Sequence, residues 1–216
     1  MAEPMLTQEQ ATAYWEERHR RSDDLRSGGH IGLDRASNEI FYARRLGALL
    51  EIIGDYTSVA EPLFVLDAGC GKGHFANAVA HCGHRVDAID GSGAAIDYCR
   101  RHFGAQVRWE VSSLSAWQSS WLYDVVYAVD VLFHILDDGE WAASAENLAS
   151  LVRYGGTLVI TDENNQNRLP RGSYIVHRAR GEYEALLEPR GFSYRGFRPY
   201  AFRDNHVGFH VFTRTR

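Results

Sequence analysis

A glycine-rich loop, DAGCGKG at residues 67–73, follows directly after the apolar run PLFVL. Glycines in such a loop allow a tight turn and let a ligand approach the backbone, and a helix that begins there offers free N–H groups. Asp90 ends the next apolar segment about twenty residues further on, where a carboxylate can accept both hydroxyls of a ribose. The loop and the carboxylate together predict a site for a nucleoside-type cofactor.

The spacing of the glycines discriminates between cofactors. A dinucleotide-binding loop reads GxGxxG and would have its third glycine at His74, whereas this chain carries it at Gly73. An acid, Asp67, also stands two residues before the first glycine. This pattern disfavours a pyrophosphate and favours a cofactor with an amino group and a carboxylate, namely S-adenosylmethionine, with S-adenosylhomocysteine as the product. A nicotinamide-dependent oxidoreductase and a tight turn without a ligand are the alternatives.

Alternating periodicities predict the elements that position this loop. From PLFVL to GTLVITD, short apolar runs typical of strands alternate with helical segments, which indicates right-handed crossovers and a parallel sheet. A helix is predicted over residues 138–156, with Val152 on its apolar stripe, before the strand GTLVITD. A polar loop is predicted over residues 163–177, and a hairpin with its turn at residues 203–205 follows near the end of the chain.

Two helices are predicted before the first strand. One covers residues 7–26 with Thr7 as its N-cap, and the other covers residues 38–53 and is closed by Gly54. Both lie outside the alternation of strands and helices. We therefore expect them to form an extension of the main domain.

Four segments resemble, in order, the motifs of the class I S-adenosylmethionine-dependent methyltransferases. They read VLDAGCGKGHF, VDAIDGS, YDVVYAVDVLFHILDD and LVRYGGTLVITD, and the resemblance covers roughly residues 60–165 and, more loosely, 192–213. It implies an α/β fold with a Rossmann-like, doubly wound, mostly parallel seven-stranded sheet and a C-terminal antiparallel hairpin. The N-terminal helical extension or lid would be residues 1–55, and the methyltransferase domain would be residues 56–216.

The resemblance also implies which residues bind the cofactor. They lie in the glycine loop, at the end of the second strand and after the third and fourth strands: Asp67, Gly69, Cys70, Gly71, Gly73, Asp90, Gly91, Ser92, Ser113, Leu114 and Asp130. Members of this family often carry an acid that meets the adenine amino group where this chain has Ser113. A hydroxyl or a backbone carbonyl would have to satisfy the adenine there.

Two histidines are candidate general bases. His134 follows the fourth strand, beside the expected methyl donor, and His177 ends the polar loop after the fifth strand, at the same edge of the sheet. Imidazole titrates near neutral pH, so either side chain could take the proton of a hydroxyl acceptor. We favour His177, because His134 could instead cap a short helix. Methyl transfer can also proceed by positioning alone.

Aromatic and basic side chains on the first helix indicate a lid that contacts the substrate. They are Tyr14, Trp15, Arg18 and His19, and Tyr174 in the polar loop completes the predicted substrate contacts, with weaker candidates at Asn164, Asn165 and Arg168. The pattern YWxxRH also resembles the opening of several small-molecule methyltransferases of this class. The alternative is a helix that packs its aromatic side chains on the domain.

Charge and aromatic content limit the class of molecule that accepts the methyl group. Lys and Arg number 23 and Asp and Glu number 28, and the resulting net charge of −5 disfavours a general nucleic-acid binder. Five tryptophans and eleven tyrosines can line a pocket, so we expect a small-molecule acceptor, oxygen more than nitrogen. An RNA or protein methyltransferase and an S-adenosylmethionine-binding protein that does not methylate are the alternatives. A further alternative is an acidic substrate that binds to arginine side chains. The candidate arginines are Arg18, Arg20, Arg21, Arg26, Arg44 and Arg45.

The cysteines and the apolar runs indicate the cellular compartment of the protein. The three cysteines form no CxxC pair, which favours a reducing cytoplasm. No apolar run reaches the roughly 18 residues that a membrane span needs, and MAEPMLTQEQ does not have the pattern of a signal peptide. His81, Cys82 and His84 are bunched too closely for a tetrahedral site, so we expect no metal. The sequence leaves the oligomeric state open.

Overall fold

The computed structural model describes residues 4–21, 25–56 and 62–216. The predicted cofactor site lies at the carboxyl ends of its strands. The strands are β1 (Phe64–Ala68), β2 (Arg85–Asp90), β3 (Val107–Val111), β4 (Tyr123–Ala128), β5 (Val152–Glu163), β6 (Leu169–Arg171), β7 (Ile175–His177), β8 (Phe192–Pro199) and β9 (Val207–Arg214). The helices are α1 (Gln8–Arg21), α2 (Arg35–Tyr56), α3 (His74–His81), α4 (Gly93–His102), α5 (Asp138–Ser150) and α6 (Arg180–Leu187). Short 3-10 turns cover Leu25–Ser27, Leu132–His134 and Glu188–Arg190.

One sheet has the strand order β3-β2-β1-β4-β5-β9-β8, and β6 and β7 form a separate hairpin. β1 pairs in parallel with both β2 and β4, while β5 pairs in parallel with β4 and antiparallel with β9. The predicted fold is confirmed: a doubly wound, mostly parallel seven-stranded sheet with an antiparallel C-terminal hairpin. The strand order runs outward in both directions from β1. The carboxyl ends of β1 and β4 therefore form the crevice at which ligands bind in such sheets.

Both faces of the sheet are covered, which explains the continuous apolar runs of its central strands. On one face, Val65 of β1 shares a buried cluster with Leu49 of α2 and Val79 of α3. On the other face, Leu66 shares a second cluster with Leu148 of α5. Because α2 shares a core with the sheet, it is packed as part of the same body, and the division of the chain after residue 55 stays a prediction.

Thr7 caps α1, as its sequence predicts. Thr7 Oγ1 accepts from the N–H of Gln10 at 3.2 Å, and Gln10 Oε1 accepts from the N–H of Thr7 at 2.9 Å, so two otherwise unpaired donors are satisfied reciprocally. The described part of this helix runs to Arg21, and the predicted end at residue 26 lies in a 3-10 turn. Residues 22–24 lie outside the described residues, and Leu25–Ser27 form a 3-10 turn.

Two further helix ends differ from the sequence prediction. α2 continues past Gly54 to Tyr56, because a glycine inside a helix costs only about 1 kcal/mol and does not by itself end the helix. α5 ends at Ser150. Val152 begins β5, where it lies in register with Tyr123 of β4, so its apolar side chain belongs to the sheet and not to a helical stripe.

The segment after β5 is more ordered than the predicted loop. β6 and β7 pair antiparallel within it, with Leu169 opposite His177, and Gly172 in the connecting turn has a φ of 59° that glycine adopts without strain. Within the described ranges, no helix is long and apolar enough to cross a membrane.

Candidate active site

A cavity of about 1140 Å³ opens at the carboxyl ends of β1, β2 and β4, under α1. Its volume exceeds the roughly 300–1,000 Å³ of ordinary ligand pockets, so it has room for two molecules side by side. The predicted site residues that border it are Trp15, His19, Gly69, Cys70, Gly71, Asp90, Gly91, Ser92, Ser113, Leu114, Asp130 and His134. The predicted residues that do not border it, within the described part of the chain, are Tyr14, Arg18, Asp67, Gly73, Tyr174 and His177.

The glycine loop turns through left-handed backbone conformations, with φ between 50° and 81° at its glycines. A Cβ at Gly73 would lie 2.6 Å from the Trp109 ring, so this glycine allows the loop to pack closely on the sheet. A Cβ at Gly71 would have His19 Nε2 as its nearest neighbour, at 3.8 Å. Gly71 therefore leaves space on the cavity side of the loop, where a ligand can approach the backbone.

Asp90 is held by the backbone of the loop that it faces. Its Oδ2 accepts from the N–H of Gly71 and its Oδ1 accepts from the N–H of Ser92, each at 2.8 Å. A carboxylate oxygen can accept more than one hydrogen bond, so both oxygens retain capacity for hydroxyl donors from the cavity. The carboxylate is thus held in place beside the glycine loop, and its contact with a ribose stays a prediction.

Asp67 lies beneath the loop, and only 1% of its surface is exposed. Burial raises the pKa of its carboxyl group to about 8, and the nearby hydroxyl of Tyr127 opposes that rise. The side chain is therefore a buried acid that holds its proton near neutral pH, and it stands behind the backbone that borders the cavity. Its direct contact with a cofactor stays a prediction.

An ion pair lies at the cavity wall, and the sequence assigned its Asp130 to the cofactor site but did not pair this residue with Arg45. Arg45 of α2 contacts the carboxylate of Asp130, and Tyr200 donates to the other oxygen of that carboxylate at 2.7 Å. The rings of Phe41 and Tyr42 each lie 4.1 Å from the Arg45 guanidinium carbon. These contacts fix a cation and an anion beside each other at the cavity wall.

Arg45 retains donors that the described residues do not use. Only 1% of its surface is exposed, and its Nε and Nη2 have no hydrogen-bond partner in the described chain. Asp130 has a φ of 56°, a conformation that is uncommon for any residue except glycine and that clusters at functional sites. A ligand with adjacent amino and carboxylate groups would satisfy both members of the pair. No spacing signal in the sequence pointed to this partnership, because its members lie 85 positions apart.

His134 reaches the cavity with one nitrogen already occupied. Its Nδ1 lies 2.9 Å from the carbonyl oxygen of Tyr174, and a carbonyl oxygen only accepts, so Nδ1 carries the proton. The lone pair is then on Nε2. Burial lowers the pKa of His134 to about 4, so the ring is neutral at physiological pH. A neutral imidazole with a fixed lone pair can accept a proton or a hydrogen bond from a bound molecule.

His177 is buried in a network of its own. Its Nδ1 lies 2.7 Å from Asp162 Oδ1, its Nε2 lies 3.5 Å from Glu163 Oε1, and Asp162 also accepts from the hydroxyl of Tyr183 at 2.8 Å. The network ties β5, β7 and α6 together. The structure keeps His177 away from the cavity wall, which His134 borders, and a catalytic role for either histidine stays a prediction.

The first helix, α1, covers the cavity. Some of its side chains border the cavity, and Arg18 contacts the turn that follows the helix. Trp15 and His19 border the cavity, and the Trp15 ring lies 4.6 Å from that of His134. Arg18 instead donates to the carbonyl oxygens of Arg26 and Gly29, at 2.7 and 2.5 Å, and ties α1 to the following turn. Whether α1 moves as a lid stays a prediction.

The aromatic partners of α1 lie behind the cavity wall. The ring of Tyr14 lies 5.2 Å from that of Tyr174, and the Tyr174 ring stacks on His134 at 5.6 Å. Both tyrosines thus support residues that border the cavity, and their direct contact with a substrate stays a prediction.

The weaker candidates after β5 make protein contacts. Asn165 donates to Glu163 at 2.7 Å, and Arg168 pairs with Asp138 and Glu182. Among the residues that the structure describes, no group of three or more His, Cys, Asp or Glu side chains is arranged to hold a metal ion.

Residues 65–156 match the family described as a methyltransferase domain. Among curated proteins, the ubiquinone biosynthesis O-methyltransferase of Methylocella silvestris is 33% identical over 135 residues, which is 61% of this chain and 50% of that protein. Nodulation protein S of Rhizobium tropici is 32% identical over 105 residues, which is 47% of this chain and 44% of that protein. The chain therefore spans about half the length of the curated relatives it matches.

Solved structures share the fold over nearly the whole chain. Magnesium protoporphyrin IX methyltransferase from Synechocystis PCC 6803, with bound S-adenosylmethionine, has a TM-score of 0.74 at 20% identity and covers 99% of this chain and 100% of its own. The 1,6-didemethyltoxoflavin-N1-methyltransferase of Burkholderia thailandensis has a TM-score of 0.70 at 19% identity and covers 100% of this chain and 94% of its own. These comparisons confirm the resemblance that the sequence motifs indicate.

Proposed function

Because the chain belongs to the class I S-adenosylmethionine-dependent methyltransferase superfamily, we propose that it binds S-adenosylmethionine in the cavity and methylates a small-molecule acceptor there. The observation that carries the proposal is the pairing of two recognition groups along one cavity. Asp90 suits a ribose, and the Arg45–Asp130 pair suits an amino acid. A molecule that joins a nucleoside to an amino acid satisfies both.

The residues present fit this cofactor on a structural criterion. Nε and Nη2 of Arg45 are buried donors without partners in the described chain, and a carboxylate is the acceptor that a guanidinium binds best. Asp130 supplies an acceptor for the neighbouring amino group. Gly71 leaves the backbone open between this end and Asp90. When bound, the cofactor supplies a methyl group on a positively charged sulfur, which is activated toward nucleophiles.

His134 then has a specific task in the transfer. His134 borders the cavity and its Nε2 carries the lone pair, so it takes the proton of an acceptor hydroxyl as that oxygen becomes the nucleophile. Trp15 and His19 border the same cavity. Alignment of the acceptor contributes the remaining part of the rate, since orientation alone can supply roughly 7–11 kcal/mol in the best intramolecular cases.

The acceptor is a small molecule, with oxygen favoured over nitrogen as the methylated atom. The cavity has room for a second molecule beside the cofactor, and a neutral base suits a hydroxyl that must lose a proton. Names among the relatives include both an O-methyltransferase and an N1-methyltransferase, so they do not decide between the two. A cytoplasmic location and the absence of a nucleic-acid partner stay predictions.

Two measurements test this proposal. Calorimetry is expected to show binding of S-adenosylhomocysteine and S-adenosylmethionine but not of NAD. Incubation with S-adenosylmethionine and matched pairs of hydroxyl-bearing and amine-bearing aromatic compounds is expected to release S-adenosylhomocysteine with the hydroxyl compounds. Binding of NAD without a response to either sulfur nucleoside would overturn the proposal. Binding of S-adenosylmethionine without methyl transfer to any acceptor would indicate a binding protein that does not methylate.

A further inference from the structure

A buried carboxylate holds the base of the β6–β7 hairpin. Asp162 of β5 is fully buried, and its Oδ1 lies 2.7 Å from His177 Nδ1 and accepts from the N–H of Glu163 at 2.8 Å. Its Oδ2 accepts from the Tyr183 hydroxyl at 2.8 Å and from the N–H of Arg178 at 3.2 Å. Asp162 therefore binds two successive residues at the end of β7, one through its side chain and the other through its backbone.

The hydrogen-bonding roles in this cluster follow from what each group can donate. Backbone N–H groups only donate, and the Tyr183 hydroxyl accepts from Trp141 Nε1 at 3.4 Å, so its own proton goes to Asp162. An ionised carboxylate has about four acceptor sites, and these three donors occupy three of them. His177 Nδ1 fits the fourth site as a donor, which makes its ring a fixed link between the hairpin and the sheet.

The other end of the same strand meets His134. β7 covers Ile175–His177, and the residue before it, Tyr174, accepts from His134 Nδ1 through its carbonyl oxygen at 2.9 Å. Three residues at the rise of a strand span only about 10 Å, so an anchor at one end limits how far the carbonyl at the other end can move. The anchor at His177 therefore restrains the partner of His134.

His177 also contacts the turn that carries His134. Its ring lies 5.0 Å from that of Phe133, and the Phe133 ring lies 4.6 Å from that of His134. Phe133 is buried, and it shares the Leu132–His134 turn with His134. A change at His177 thus reaches His134 by two routes, through the backbone of β7 and through the ring of Phe133.

We propose that His177 is a positioning residue for methyl transfer: held by Asp162, it keeps the carbonyl oxygen of Tyr174 against His134 Nδ1 and thereby leaves the lone pair on His134 Nε2. This inference rests on the proposed function, in which that lone pair takes the proton of the acceptor. The nitrogen of an imidazole that carries the proton is set by the hydrogen bond that the ring makes. A His134 ring with its proton on Nε2 would have no lone pair there for the acceptor.

Replacing His177 with leucine tests the anchor, because leucine keeps an apolar side chain beside Phe133 but cannot donate to Asp162. Nitrogen NMR of protein with isotope-labelled histidine reports which ring nitrogen is protonated, and His134→Ala assigns the signal by its loss. At neutral pH the wild-type His134 is expected to carry its proton on Nδ1 alone. In His177→Leu the ring is expected to become a mixture of both tautomers.

Kinetics give the second readout. In His177→Leu, kcat for a hydroxyl acceptor is expected to fall at least about tenfold, as part of the roughly 10²–10⁴-fold that a general base contributes. The affinity for S-adenosylhomocysteine should stay close to the wild-type value, because His177 does not border the cavity as described. His177→Phe keeps a ring beside Phe133 without a donor, carries the same expectations, and replaces the leucine variant if that protein does not fold.

Two control variants separate positioning from stability. His177→Asn keeps a donor where His177 has Nδ1, so it should restore a single His134 tautomer and most of kcat. Tyr183→Phe removes a different donor from the same carboxylate, on α6 and outside the hairpin. It should lower the melting temperature but keep the wild-type tautomer of His134 and the wild-type kcat.

A mixed tautomer and a lower kcat in His177→Leu, both reversed in His177→Asn and absent from Tyr183→Phe, support the inference. A single wild-type tautomer in His177→Leu overturns it, and so does a wild-type kcat despite a mixed tautomer. The same changes in Tyr183→Phe would assign the loss to stability and overturn it as well. The tautomer is measured without turnover, so a wild-type protein that methylates no hydroxyl acceptor overturns the proposed function, while the spectra still decide whether His177 positions His134.

Discussion

The imidazole of His134 donates from Nδ1 to the carbonyl oxygen of Tyr174 at 2.9 Å, across 40 positions of the chain. Tyr174 stands in the turn of the β6–β7 hairpin, directly after Ser173, whose carbonyl oxygen accepts from the N–H of Leu6 at 2.8 Å. A small hairpin thus fixes the tautomer of a residue at the cavity wall and is itself joined to the segment before α1. The geometry of the proposed base depends on elements far from it in sequence.

Replacing His134 with alanine is expected to lower kcat by roughly 10²–10⁴-fold for a hydroxyl acceptor, with little change in cofactor affinity. The loss follows from removing the neutral Nε2 that accepts the proton. Because burial lowers the pKa of His134 to about 4, the wild-type rate should show no fall near pH 6.5 that is due to this ring and should decline only as the pH approaches about 4. Steady-state kinetics over this pH range measure both effects.

The control for that variant is His206→Ala, because His206 is exposed and does not border the cavity as described. It should keep the wild-type rate and pH profile. If His134→Ala also keeps the wild-type kcat, transfer proceeds by positioning without a histidine base. An amine, or a phenol already ionised in the site, would then be the better acceptor.

Arg45→Met is expected to weaken binding of S-adenosylhomocysteine by roughly 10–150-fold, which corresponds to about 1.5–3 kcal/mol for a hydrogen bond to a charged group. Methylthioadenosine lacks the amino-acid end, so its affinity should change little in the same variant. Calorimetry with both ligands measures the difference. An equal loss for both ligands would mean that Arg45 supports the fold and does not bind the carboxylate. Because Asp130 loses its partner, lower stability is also expected.

Asp90→Ala is expected to weaken S-adenosylhomocysteine by about 1.5–3 kcal/mol for each ribose hydroxyl that loses its charged acceptor. Asp90→Asn keeps one acceptor oxygen, so its affinity for S-adenosylhomocysteine should lie between those of Asp90→Ala and the wild-type protein. Affinities from calorimetry, together with thermal melting of each protein, separate binding from loop distortion. That separation is needed because Asp90 also accepts from the backbone of Gly71 and Ser92. Unchanged affinity in both variants would place the ribose elsewhere.

Local patterns were sufficient to predict the fold and to bring the glycine loop and Asp90 to one cavity. The glycine loop and Asp90 are recognisable because a turn and a strand end depend on residues close together in sequence. The partnership of Arg45 with Asp130 was not predictable, since it forms only when α2 packs beside the end of β4. The burial of His177 was not predictable for a similar reason, because the sequence places it at the expected edge of the sheet but does not reveal that Asp162 holds it inside.

The pH dependence of stability is expected to reveal Asp67. Its folded pKa is raised to about 8, so its protonated form stabilises the fold fully below the unfolded value of 3.8, and that stability is lost as the pH rises through about 8. Between these values its contribution falls by up to about 1.4 kcal/mol per pH unit. Asp67→Asn cannot ionise and should lack this slope. Urea unfolding at about pH 5 and about pH 9 measures how the free energy of unfolding changes with pH. The same change in the wild-type protein and in Asp67→Asn would contradict the raised pKa of Asp67.

The lid hypothesis for α1 can be tested at a single contact. Glu16 accepts from Ser92 Oγ at 2.6 Å and from the N–H of Ala94 at 3.2 Å, so it joins α1 to the first turn of α4 beside Asp90. The hydrogen bond from Ser92 lowers the pKa of Glu16, which keeps the carboxylate ionised at neutral pH.

Glu16→Ala is expected to speed hydrogen exchange of the α1 amides and to speed release of S-adenosylhomocysteine, because the helix loses its tether over the bound nucleoside. Glu17→Ala is the matched control, since Glu17 pairs with Arg20 and Arg21 on the exposed side of the same helix. In the wild-type protein, the cofactor should slow exchange in α1, because a lid becomes more protected when its ligand is bound. Equal protection of α1 with and without ligand, in the wild-type protein and in Glu16→Ala, would identify α1 as a fixed layer of the domain. Trp15 and His19 would then line the cavity as permanent walls.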